Sequence, residues 1–337
     1  MKKQIFAVCD LEEEYARNFM EYLNQKKNLP FEVQAFTNVE SLLAYGRENH
    51  IELLLISAQA MCREVGELNT GKTMILTEGT KPEEFDAYAG VYKYQASSDI
   101  IREVMACYGE SRVLLPQQVP ALKKTTEILG VYSPVGRCLQ TSFALTLGQI
   151  LGREKSVLYL NMEEYAGFEE LLGRTFHGTL SDLLYYAGQE ETNLMVQLNG
   201  IVQSMGHLDL IPPVQFPEDI RQTSFEEWEG LLKELVLHSS YEIIILDIGN
   251  GIDELFRLLD MCSRIYMPVR SDMMSRCKTE QYENMLRMRD WGQILAKTVK
   301  MHLHLKMGDL KGTAFVEQLV WSELGDYVRE MIRKGEI

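Results

Sequence analysis

Long runs of apolar residues, each closed by a polar or acidic residue, recur along this chain and leave few folds open to it. ELLLIS (52–57) and YEIIILDIG (241–249) do not alternate apolar with polar, as a strand with one wet face would. They suit parallel strands covered on both faces, and each parallel pairing needs a crossover segment. The intervening stretches supply one: YARNFMEYL (15–23), SLLAYG (41–46), IIREVMACYG (100–109), SFALTLGQIL (142–151) and FEEWEGLLKELVLH (225–238) carry apolar residues at helical spacing. The pattern predicts an α/β protein of doubly wound sheets.

There are two such series. QIFAVCD, FEVQAF, ELLLIS, TMILTE and VYKY supply strands for the first, and TEILGVYS, SVLYLN, LDLIPP, YEIIILDIG and RIYMPV for the second. Between them Pro116, Pro120 and a polar cluster interrupt any period, which places a linker at 111–125 between domains at 1–110 and 126–337. A length of 337 residues, with 46% hydrophobic and 25% charged, suffices for two folded cores. No repeat period relates the two series.

The formal charge of −15 argues against a surface that neutralises many phosphates, so direct nucleic-acid binding is not expected. Lys123 and Lys124 read as solvated linker charges. MKKQIFAVCDLEEE has too short an apolar run for a signal peptide, and no segment has the roughly 18 apolar residues of a membrane span. The six cysteines lie apart, with no CxxC pair and no zinc spacing, and read as reduced thiols of a cytoplasmic protein.

The stretch from Gly130 to Gly148, GVYSPVGRCLQTSFALTLG, has the strand, turn and helix of a phosphate-binding loop. With the strand and helix aligned to GxxxxGK[ST], Thr141 takes the hydroxyl place that would hold Mg²⁺, Gln140 the lysine place and Leu139 the last glycine place. Gly136, Arg137, Cys138, Gln140, Thr141 and Ser142 are the residues such a loop would bring to a nucleotide. Gln140 lacks the charge that makes the lysine contact strong, and Leu139 adds a Cβ where the backbone approaches closest. Arg137 is the nearest replacement cation. An ordinary strand–turn–helix without a ligand remains the other reading. Asp247, four apolar residues into a strand, has the form of a Walker B acid that would hold Mg²⁺ with Thr141; a strand-end Asp capping a turn has the same pattern.

The second series resembles the MinD/ParA ATPases, whose deviant loop reads KGGxGKT. Their signature lysine falls at Val135 and their first glycine at Gly136. Where they carry DxD after the second strand, this chain has Asn161 and Glu163, and the resemblance gives Glu163 the catalytic role of positioning the attacking water. The first 110 residues resemble the receiver domain of response regulators, a flavodoxin-like fold. Asp10 and Glu12, Thr77 and Lys93 fall at that family's landmarks, but Ser57 stands where the phospho-accepting Asp belongs. Ser57 cannot supply aspartyl phosphorylation, so a pseudo-receiver is expected.

Together these parts resemble the CpaE/TadZ family of pilus-assembly localisation proteins, with YSPVGRC, LNMEEYAGF, SDLLYYAG and PEDIR as shared phrases. That resemblance implies a cytoplasmic homodimer that marks a site for a Flp-type secretion or pilus machine, with ATP and Mg²⁺ as cofactors and membrane contact only through other proteins. Leu139 and Gln140 put ATP binding in question and make efficient hydrolysis unexpected. A slow Mg-ATPase switch using Arg137, Thr141, Glu163 and Asp247, and a signalling adapter with two degenerate domains, are the alternatives. Two further expectations concern helices. The stripe Val316, Val320, Leu324, Val328 and Met331 packs against its own domain, because Glu317, Glu323, Asp326 and Glu330 suit no anionic lipid surface. Met273, Met274, Met285 and Met288 fill core gaps, beside a pocket with Pro268, Val269 and Asp272 in its wall.

Overall fold

The computed structural model describes residues 4–25, 31–79, 82, 85–95, 97–109, 126–189, 194–303 and 311–337. The chain divides into two compact units, Met1–Val119 with Met195–Gly200, and Pro120–Leu194 with Ile201–Ile337. The linker expected at 111–125 lies outside the described residues.

In the first unit five parallel strands, β1 (Gln4–Cys9), β2 (Phe31–Phe36), β3 (Ile51–Ser57), β4 (Thr70–Thr77) and β5 (Ala89–Tyr92), stand in the order β2-β1-β3-β4-β5. This is a doubly wound order with its switch point between β1 and β3. Every residue of β3 is buried, as its unbroken apolar run requires. Phe6, Val8, Leu53 and Leu55 face one core, and Ala7, Cys9, Leu54 and Ile56 the other. The ends of β1, β3, β4 and β5 bring Asp10, Ser57, Thr77 and Lys93 to one edge of the sheet.

The second unit holds β6 (Glu127–Tyr132), β7 (Val157–Met162), β8 (Gln203–Met205), β9 (Leu208–Ile211), β10 (Ile243–Ile248), β11 (Arg264–Val269) and β12 (Thr298–His302). Their order is β12-β11-β6-β10-β7-β9-β8, parallel throughout except for the β8–β9 hairpin. The chain runs from β6 outward to β7 and β9, returns to β10, and then crosses to β11 and β12. The loops after β6 and β10 therefore leave the sheet where its winding reverses, the usual place for a crevice.

The helix Gln140–Leu151 buries every residue from Phe143 to Gln149, because the sheet covers one side and the helices Thr313–Trp321 and Glu323–Arg333 cover the other. A helix apolar on all sides needs both covers. Thr146 and Gln149 are the polar exceptions; Gln149 donates to Met205 O and accepts from His207 N, and so clamps the β8–β9 turn.

The stripe Val316, Val320, Leu324, Val328 and Met331 is buried in this core, as expected. The segment is two helices rather than one: Ser322 caps the second by accepting from Leu324 N. The methionine expectation is corrected. Met273, Met274, Met285 and Met288 are exposed, because the helix Met273–Met288 buries Ser275, Tyr282 and Leu286 instead. Asp272 caps that helix, with Ser275 N donating to its Oδ1 at 3.0 Å.

Candidate functional site

The loop after β6 turns through a run of left-handed backbone. Gly136, Arg137 and Leu139 all have positive φ, at 72°, 51° and 66°. Leu139 in the left-handed region costs roughly 1–2 kcal/mol relative to right-handed backbone, so the flanking strand and helix hold the turn. Cys138 is buried, and burial raises its thiol pKa. The Arg137 side chain is exposed and makes no hydrogen bond or ion pair among the described residues. Ser142 lies in the helix's first turn, and its carbonyl accepts from Thr146 Oγ1 at 2.7 Å.

Gln140 turns toward the sheet. Its amide Nε2 donates to Asp247 Oδ1 at 2.7 Å and to Ile248 O at 3.0 Å. Asp247 is 0% exposed. The parallel register sets Asn161 of β7 beside it, and the two-residue period turns Tyr159 to the same face. Tyr159 OH donates to Asp247 Oδ2 at 2.8 Å, and Asn161 Nδ2 reaches the same oxygen at 3.3 Å. Both carboxylate oxygens are thus satisfied by the protein itself.

Glu163 completes the cluster. Its backbone N–H donates to Asn161 Oδ1 at 3.1 Å, and its Oε2 accepts from Thr141 Oγ1 at 3.4 Å. Burial, and then the charge of Asp247, push the Glu163 carboxyl up to about 7. Burial likewise raises Asp247, against the donors from Gln140, Thr141, Tyr159 and Asn161. A buried acid and a half-buried one lie together here, and among the described residues neither is paired with a side-chain cation.

Sequence position placed Gln140, Thr141, Glu163 and Asp247 in one site, and the structure brings these four together. Gly136 and Cys138 shape the loop, and Arg137 makes no ion pair with these acids. Tyr159 escaped sequence reasoning. Its place two residues before Asn161 was the available signal.

These side chains do not fit Mg-ATP as they stand. The amide in the lysine place carries no charge and is engaged by Asp247. The Asp247 oxygens that would take a metal-bound water are occupied by three donors. Among the described residues no group of three or more His, Cys, Asp or Glu side chains is arranged to hold a metal ion. A triphosphate would meet two acids without a compensating cation.

A second buried cluster lies in the first unit. Lys93 is 1% exposed, and its Nζ lies 2.9 Å from Asp10 Oδ2, 3.2 Å from Glu12 Oε1 and 3.5 Å from Glu78 Oε1. The Tyr15 ring covers the ammonium at 4.6 Å. Burial by itself would lower the Lys93 pKa, and the hydrogen bonds and charges of Asp10 and Glu12 overcome it, so the net shift is upward. Thr77 Oγ1 is spent on Val91 O at 3.3 Å. The Ser57 hydroxyl is buried without a partner among the described residues. The ammonium occupies the centre of the acids, where a divalent cation would otherwise sit.

No helix among the described residues is long and apolar enough to cross a membrane. No family model matches the chain, and no curated protein does. Among solved structures it is similar to a ParA family ATPase from Chlorobium tepidum, at 18% identity over 59% of this chain and 81% of that one, with a TM-score of 0.46. It is also similar to a putative plasmid partition protein from Borrelia burgdorferi bound to AMPPNP, at 16% identity over 61% and 95%, TM-score 0.44. The septum site-determining protein MinD of Pyrococcus horikoshii, complexed with Mg-ADP, is similar at 16% over 52% and 68%, TM-score 0.39. Each likeness is one of fold, and the chemistry of this site follows from its own side chains.

Proposed function

We propose that this chain is a cytoplasmic localisation or scaffold factor of the CpaE/TadZ kind. It acts through protein contacts, as a homodimer, at the assembly site of a Flp-type pilus or secretion machine. Its first unit is a pseudo-receiver with Lys93 as a built-in counter-ion, and its second a P-loop domain that no longer hydrolyses ATP efficiently. The observation that carries the second part is the Gln140 amide on Asp247. A residue in the lysine place that bonds the metal-binding acid makes the site a structural brace.

Thermal melts of the purified protein across a Mg-ATP titration test this. The expected result is no shift at millimolar Mg-ATP, whereas a rise of several degrees would overturn the reading, because a bound ligand stabilises by RT ln(1 + [L]/Kd). The double substitution Leu139→Gly with Gln140→Lys should create such a shift by restoring the charge and relieving the turn. If it only lowers the melting temperature, the assignment of the loop is wrong. The same titration decides against or for a slow Mg-ATPase, a reading favoured by Glu163, whose carboxyl near neutrality suits a general base.

A further inference from the structure

A groove in the second unit adjoins the loop site, with Pro134 of the loop after β6 and Asn250, three residues past Asp247, in its wall. It has a volume of about 620 Å³ and lies between the helices Leu255–Met261 and Met273–Met288. Tyr132, Ile252, Phe256, Tyr282 and Met285 form its apolar surface, and Trp291 also lines it. The rings of Tyr132 and Phe256 pack on Tyr282 at 5.5 and 6.2 Å, so the floor is rigid aromatic surface. The Tyr282 hydroxyl is buried there without a hydrogen-bond partner among the described residues. Met288, one turn beyond Met285, is 83% exposed and extends the apolar surface outward.

The rim is basic in a chain of formal charge −15. Lys278 and Arg289 are exposed lining residues that make no ion pair among the described residues. Glu254, the one acid of the lining, is paired with Arg257 at 2.9 Å.

The spacing indicates the shape of the occupant. Lys278, Gln281, Tyr282, Met285 and Arg289 fall at i, i+3, i+4, i+7 and i+11, one face of a helix over roughly 16 Å. An apolar trough of that length with cations along its edge complements three turns of an amphipathic helix whose apolar stripe is flanked by acids. We infer that this groove is a docking site for an acidic amphipathic helix of a partner protein. A second copy of this chain would bring its own excess of negative charge, and a small aromatic anion would use one end of the trough.

Two synthetic 18-residue peptides test this. Both carry Leu at i, i+3, i+4, i+7 and i+11 and Ala on the opposite face, with Glu flanking the stripe in one and Lys in the other. Binding to the full chain is followed by tryptophan fluorescence, with Trp291→Phe identifying the reporter. The acidic peptide should bind about tenfold or more tighter than the basic one. Lys278→Glu with Arg289→Glu should reverse that preference, and Met285→Arg should remove binding of both. These three side chains are exposed, and circular dichroism of each variant verifies that the fold is retained. Equal affinity for the two peptides, no binding of either, or a preference unchanged by charge reversal would overturn the inference. So would a dimer, seen by sedimentation, that dissociates on Met285→Arg, or a naphthalene sulfonate probe that stays bound while the acidic peptide is present in excess.

Discussion

Lys93→Met would remove the charge at the centre of the first unit's acids while keeping most of the apolar stem. The ammonium is 1% exposed and lies within 3.5 Å of three carboxylates, of which Asp10 is itself buried. Removing one partner of a buried ion pair leaves the other uncompensated, at a cost of about 3–5 kcal/mol. A folded domain has only about 5–15 kcal/mol to lose. Chemical denaturation should therefore show a loss within that range, visible in heat melts as a fall on the order of 10 °C or more. Adding Asp10→Asn should recover most of it, because the orphaned charge is then gone. The vacated centre is ringed by carboxylate oxygens that suit a hard cation, so Mg²⁺ or Ca²⁺ should stabilise Lys93→Met but not the parent chain. At a hundredfold excess over Kd that gain is about 2.7 kcal/mol. A loss below about 1 kcal/mol, or a double variant no more stable than the single one, would refute the view that Lys93 serves as the counter-ion.

Two more predictions follow from the second unit. Glu163→Gln should raise the melting temperature at pH 8 and have little effect near pH 5. The folded state holds the Glu163 proton up to about pH 7, against 4.5 for an unperturbed carboxyl. Stability therefore falls as pH rises through that window, and a gain equal at both pH values would contradict this. Gly130→Ala would set a Cβ 2.8 Å from Cys262 Sγ in the middle of β6. It should cost about 1–3 kcal/mol, and Cys262→Ala in the same chain should restore most of it; additive losses in a denaturation cycle would refute the clash.

Much of the sheet was legible because its strands are buried on both faces: every residue of β7 and of β10 is buried, and both read as apolar runs interrupted only by Asn161 and Asp247. The strands without such runs were missed. β12, TVKMH, is a mostly uncovered edge strand, and β8 has three residues held by a hairpin turn. At the site, sequence spacing located Gln140 and Asp247 but treated Gln140 as a loss. That its amide spans to Asp247 depends on a side-chain rotamer and on the strand register, which spacing does not encode. The methionines misled for a similar reason. Helical period alone leaves the choice of buried face open, and Tyr282 with Leu286 decides it.

The helix Gln140–Leu151 has a consequence for how the chain is made. Its outer cover, the helices Thr313–Trp321 and Glu323–Arg333, is synthesised roughly 160–180 residues later, which at ribosomal rates is on the order of 10–40 s. Throughout that interval a mostly apolar helix has only one of its two covers available. Chains cut at Gly312 would remain permanently in that state, so truncated forms of this protein should aggregate or engage chaperones even though the whole sheet and the loop site have already been synthesised.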